Sequence, residues 1–141
     1  MWKALSLEPS FCYISETIYN NDKANIMTSI KNDLKYLCAF LNSKIFQFLF
    51  KQIGINMGSG YEYKIQFLEK IPVPPITPSN EPIVRQIESL VDKILSLTQS
   101  DDYMQNPAKQ AQVKEYERQI DRMVYKLYGL TEEEIKIVEG E

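Results

Sequence analysis

The sequence contains no histidine. That absence removes every Ser/His/Asp and Cys/His nucleophile pair and leaves carboxylates, lysines and tyrosines as the only acid or base candidates, which disfavours catalysis. Cysteine is scarce. Cys12 and Cys38 lack the paired spacing of a zinc site or a disulfide framework, and they read as small buried side chains. There is no GxGxxG and no GxxxxGK[ST], so the usual phosphate cradles are missing. No apolar run approaches the roughly 18 residues that span a bilayer. The first twenty residues also lack a basic start followed by an apolar core, so neither a membrane protein nor a signal peptide is indicated and the cytoplasm is the expected location.

What is present suits a folded domain: 141 residues, of which 44% are apolar, are enough to bury a modest core. The net charge of −3 is unevenly distributed. Residues 1–22 sum to −2, residues 23–70 to +4 and residues 71–141 to −5. A basic middle inside an acidic chain can turn a cationic face to phosphates, although a solvated helix face gives the same counts.

Residues 11–28, "FCYISETIYNNDKANIMT", hold β-branched and aromatic residues in short runs around an "NND" turn signal, which predicts two or three short strands. Asn32 is then placed to cap one helix of about five turns ending at Gly54. Leu34, Leu37, Cys38, Leu41, Ile45, Phe48 and Leu49 form its apolar stripe, with Tyr36, Phe40, Phe46 and Phe50 on the flanks. Three of the five glycines follow within seven residues, Gly54, Gly58 and Gly60. "YEYKIQFLEKIPVP" alternates well enough for an exit strand, and the prolines from Pro72 to Pro78 hold the chain extended without forming a PxxP ligand.

The prolines divide the chain into a head, residues 1–79, and a helical segment, residues 80–141. In the second part Asn80 is the expected cap of a helix with the stripe Ile83, Ile87, Leu90, Val91, Ile94 and Leu97. Val113, Tyr116, Ile120, Met123, Val124 and Leu127 form a second stripe, so an antiparallel helical pair is predicted. Gly129 stops it, and Thr131 with Glu134 makes a capping box for a short final helix. The acids Glu132–Glu134 invite a metal-site reading, but a helix dipole favours acids there without any ion. The whole is an α+β fold: a small α/β head of few short strands and one long helix, then the helical pair and a short C-terminal helix.

In order and spacing, Leu41-Asn42-Ser43-Lys44, the Phe67–Pro74 stretch, "IESLVDKILSL" and "YGLTEEEI" resemble the TaqI-like C-terminal specificity domain of bacterial type II G restriction-modification enzymes. The resemblance spans residues 11–139. In that family one polypeptide joins a nuclease, an N6-adenine DNA methyltransferase and a target-recognition domain. The Asn-Pro-Pro-Tyr type motif of the methyltransferase is missing here, since the one Asn-Pro, Asn106-Pro107, continues as Ala108-Lys109. The resemblance therefore implies a non-enzymatic part of a larger enzyme. On this resemblance it is expected to bind double-stranded DNA and to direct methyltransferase and nuclease domains of the same polypeptide. No cofactor is expected in this chain; S-adenosylmethionine and Mg2+ are expected only for those catalytic domains.

For such a head the candidate phosphate contacts are Lys44, Lys51 and Lys64. Candidate base readers are Gln52, Asn56, Ser59 and Gln66, with the three loop glycines letting backbone approach the duplex. Tyr61 and Tyr63 either stack on bases or pack under the loop. The helical pair is expected to dock the head on the catalytic domains. A different class of function stays open beside this one, a non-catalytic helical protein-interaction or scaffold domain.

Overall fold

In the computed structural model, which describes residues 1–21, 24–31 and 33–140, the chain forms two compact units, Met1–Val73 and Pro74–Glu141. The fold is α+β, with short antiparallel strand pairs and six α-helices among the described residues. In the first unit β1 (Trp2–Lys3) pairs with β3 (Ala24–Asn25), and β2 (Leu5–Ser6) pairs with β4 (Tyr61–Glu62). The N-terminal residues, to which the sequence reading gave no role, thus supply half of the strand pairing. Of the stretch read as two or three strands, β3 and a single bridge from Phe11 to Trp2 form. Asp22 of the turn signal and the proposed cap Asn32 lie outside the described residues.

The expected long helix is two helices, α1 (Leu34–Leu41) and α2 (Lys44–Ile53). Asn42 and Ser43 make the break. Ser43 takes extended backbone and its hydroxyl accepts the amide N–H of Phe46, an N-cap that starts a new helix with its own phase. Asn42 folds its side chain onto the N-terminal segment. Its Oδ1 accepts from the Phe11 amide at 2.9 Å, while its Nδ2 donates to the Phe11 carbonyl at 2.9 Å and to the Cys38 carbonyl at 2.8 Å. One amide group thus pairs with the backbone of Phe11 as a neighbouring strand would.

The phase change reassigns the faces. Tyr36, Phe40, Phe46 and Phe50, read as flanks, are buried together with Leu41 and Ile45 of the expected stripe, whereas Leu34, Leu37, Phe48 and Leu49 are only half-buried. The core of the unit is aromatic. Trp2 tilts against Phe11 at 5.3 Å, Phe11 meets Phe46 edge-on at 5.7 Å, and Tyr63 stacks on Phe50 at 4.4 Å. The indole N–H of Trp2 donates to the Tyr63 carbonyl at 2.9 Å, so the one tryptophan is both packed and satisfied.

The exit strand is a correction as well. After Tyr61 and Glu62 the chain turns into a single-turn helix, α3 (Ile65–Leu68), and Ile71 is buried beyond it. Alternation over so few residues does not distinguish a strand from one helical turn, and burial of Tyr63 decides the course here.

In the second unit α4 (Glu81–Thr98) and α5 (Pro107–Tyr128) pack along each other as an antiparallel hairpin, followed by α6 (Glu132–Glu139). Val84, Ile87, Leu90 and Val91 face Val113, Ile120, Val124 and Tyr125 as the buried set. Asn80 does not cap α4 with its side chain. Its Oδ1 accepts from the Thr77 amide and its Nδ2 donates to the Pro75 carbonyl, fixing the preceding turn instead. Asn106 caps α5 by accepting from the Lys109 amide, with Pro107 at the first helical position. Thr131 and Glu134 form the full capping box of α6, which gives Glu134 a structural partner. Asp102 has one too: the Lys109 ammonium and the Asn106 amide beside it hold its carboxyl well below the usual range.

Candidate nucleic-acid interface

The site is built from the outer face of α2 and the hairpin that follows it. Lys44 and Lys51 are seven residues apart, two helical turns, so they share one face about 10 Å apart along the axis. Both are exposed, and Gln47 and Phe48, half-buried, lie between them on that face. The opposite face buries Ile45, Phe46 and Phe50. Sequence reading counted Phe48 in the buried stripe because it assumed one unbroken helix. With the break at Asn42-Ser43 it belongs beside the lysines.

The last turn of α2, with exposed Lys51 and Gln52, runs directly into the hairpin. Gln52 bonds weakly back to the Phe48 carbonyl at 3.5 Å. Asn56 bridges Tyr61, the Met57 amide donates to the Gly60 carbonyl at 2.8 Å, and Gly58 and Ser59 form the tip. The Gly58 amide donates to Asn56 Oδ1 at 2.8 Å, which rigidifies the tip. Asn56 itself is exposed, so its Nδ2 donors face solvent. Gly58 carries φ of 78° with open space around its Cα, and exposed Ser59 sits next to it.

The glycines divide by role. A Cβ on Gly60 would stand 2.6 Å from the Ser6 carbonyl oxygen, so its close approach is to β2 and not to a ligand. Gly54 is in extended backbone and a Cβ there would meet the Phe50 ring at 2.5 Å. Only Gly58 has the freedom that a close ligand approach asks of a loop glycine.

The tyrosines divide as well. Tyr63 is 2% exposed and stacked in the core, so it is a packing residue. Burial pushes its phenol up to about 12, with Tyr61 and Glu8 adding to the shift. Tyr61 is half-buried, edge-on to Phe50 at 6.3 Å, under the hairpin. Lys64 is exposed at the start of α3 and pairs with Glu62 at 3.0 Å, and Gln66 is exposed on α3. The hairpin thus gathers Lys51, Gln52, Asn56 and Ser59, with Lys44 at the far end of the same helix. Lys64 and Gln66 follow only after the chain has passed through the core at Tyr63. Two exposed apolar side chains, Ile55 and Met57, also stand on the hairpin. Neither stands out in the sequence, where an aliphatic side chain in a loop carries no hydrogen-bonding or charge signal.

The charge supports the division into units. The first unit holds eight lysines against six acidic residues, and the second eight basic against thirteen acidic. The model of the TaqI-like C-terminal specificity domain family matches residues 1–73. The chain belongs to that family. The match ends where the first unit ends, and it includes the ten residues before Phe11 that the quoted motifs had left aside. No match was found among curated proteins or among solved structures. A TaqI-like specificity domain chooses a DNA target and is not itself catalytic. Among the described residues no group of three or more His, Cys, Asp or Glu side chains could hold a metal ion, and no helix is long and apolar enough to cross a membrane.

Proposed function

We propose that this chain is the DNA target-recognition domain of a bacterial type II G restriction enzyme and N6-adenine DNA methyltransferase. In this reading it binds duplex DNA and directs catalytic domains that lie elsewhere in the polypeptide. The observation that carries it is the family match over residues 1–73, the same residues that fold as the head. The surface described above fits the task. Lys44 and Lys51 on one helix face meet phosphates along a groove wall, while Asn56 and Ser59 at the hairpin tip are short polar groups of the kind that read base edges. Ile55 and Met57 add apolar surface that suits a thymine methyl.

The second unit, with its acidic balance, is a spacer that docks the head on the methyltransferase, because a net charge of −5 repels phosphate. In this reading S-adenosylmethionine and Mg2+ act in the catalytic domains.

A fluorescence anisotropy titration against mixed-sequence duplex DNA, at about 50 and about 200 mM salt, tests the reading. The expected result is binding that weakens steeply with salt. Lys44→Ala with Lys51→Ala should reduce the salt slope by about two, one for each lost phosphate contact. A folded chain that binds no duplex at the lower salt would leave the protein-interaction reading in its place.

A further inference from the structure

The first unit contains a second feature, separate from the hairpin. A cleft of about 200 Å3 opens between the N-terminal segment and α1, and both cysteines of the chain line it, together with Phe11, Leu37 and Leu41. The two thiols are reduced, Cys12 exposed and Cys38 half-buried. Cys38 Sγ lies 3.4 Å from the Phe11 carbonyl oxygen, the oxygen of the peptide that joins Phe11 to Cys12. Peptide geometry puts that oxygen within about 3 Å of Cys12 Cα, so Cys38 Sγ is at most about 6 Å from Cys12 Cα. The backbones are held in this relation by Asn42, which bonds to Phe11 on one side and to the Cys38 carbonyl on the other.

We propose that Cys12 and Cys38 are a redox pair that closes to an intramolecular disulfide in response to peroxide. Cys12 Sγ stands about 2.8 Å from its own Cα, so turned towards Cys38 it comes within about 3 Å of that sulfur, and rotation of the Cys38 side chain in the open cleft closes the remaining gap. The chemistry balances in two steps. The exposed Cys12 thiolate attacks hydrogen peroxide, the O–O bond breaks, and Cys12 sulfenic acid forms with release of water. Cys38 sulfur then attacks the Cys12 sulfur, the S–O bond breaks, and a second water leaves with the remaining thiol proton. Two thiols have then lost two electrons and two protons to one peroxide. Burial pushes the Cys38 thiol up to about 11, so Cys38 is not the first nucleophile, and exposed Cys12 takes that role. Closure tethers α1 to the strand segment that carries Trp2 and Phe11, the seam on which the aromatic core is assembled.

The test is mild hydrogen peroxide treatment of the purified chain, followed by intact mass and non-reducing tryptic mapping. The expected product is a monomer lighter by two hydrogens, in which peptides 4–23 and 36–44 are linked. Its unfolding, read from the single tryptophan Trp2, should shift upward by several degrees and return on addition of a thiol reductant. Cys12→Ser should abolish the link while leaving the head folded, since Cys12 is exposed. Oxygen adducts on Cys12 with Cys38 still alkylatable, or links only between chains, would overturn the proposal.

Discussion

At the residue scale the head is held by side chains whose role depends on the exact atom they reach. Asn42 and Ser43 are adjacent and both polar, yet one clamps the N-terminal segment and the other starts a helix. Nothing in their identity alone separates an interior polar pair from a helix break, because Asn and Ser are tolerated on a solvated face. The motif Leu41-Asn42-Ser43-Lys44 was visible in the sequence, but its mechanical meaning needed the backbone of Phe11, thirty-one positions away, to be in place. The buried phenols give a pH signature. Burial raises both Tyr36 and Tyr63 from 10.0 to about 12. Their folded-state pKa values lie above the unfolded value, so the stability they contribute is complete below pH 10 and is lost as pH climbs through about 12. Alkaline titration followed by circular dichroism and phenolate absorbance should therefore show these two tyrosines ionising late, near pH 12 and together with loss of native signal, with Tyr125 of the second unit, which burial raises as well, ionising later still. Ionisation of all nine near pH 10 in a chain that keeps its native spectrum would refute the burial argument.

At the element scale, the second unit was the more legible half and the first the less. The stripes of α4 and α5 and the Thr131/Glu134 box are local signals, repeated over many turns or confined to four residues, and each is realised in the fold. In the head the elements are short, and two-residue strands have no period to read. Their pairing is non-local, joining residues 2–6 to residues 24–25 and 61–62. The stretch from Ile65 to Leu68 shows the same limit, since one turn of helix and a strand of four residues present similar patterns. The glycine loop was legible as a loop, and only the division of labour among its glycines was hidden. That division predicts different outcomes for two equivalent substitutions. Gly60→Ala forces a Cβ onto the Ser6 backbone at a φ of 150° and should destabilise the head by about 2–4 kcal/mol, read by denaturant unfolding. Gly58→Ala meets open space and carries only the strain of a φ of 78°, roughly 1 kcal/mol. Equal losses at the two positions would contradict the assignment of Gly60 to strand contact and Gly58 to the tip.

At the scale of the whole molecule the charge and the fold divide at nearly the same place. A lysine-bearing head that matches a specificity-domain family is followed in the chain by an acidic helical hairpin with its own buried stripe. Of the polar candidates, Lys44, Lys51, Gln52, Asn56, Ser59, Lys64 and Gln66 are all exposed, as a surface role requires. Aromatic candidates were harder, because a tyrosine in a loop and a tyrosine in a core differ only in what surrounds them. Tyr63 belongs to the core and Tyr61 lies at its edge. The central claim is that the outer face of α2 and the hairpin tip form the surface that meets duplex DNA. Backbone amide shift mapping by nuclear magnetic resonance, with duplex DNA added to the labelled chain, tests it most directly. The account predicts changes concentrated at Lys44, Gln47, Lys51, Gln52 and Asn56–Ser59, with α4 and α5 unmoved; changes centred on the helical hairpin instead, or none along α2 and residues 55–60, would contradict it.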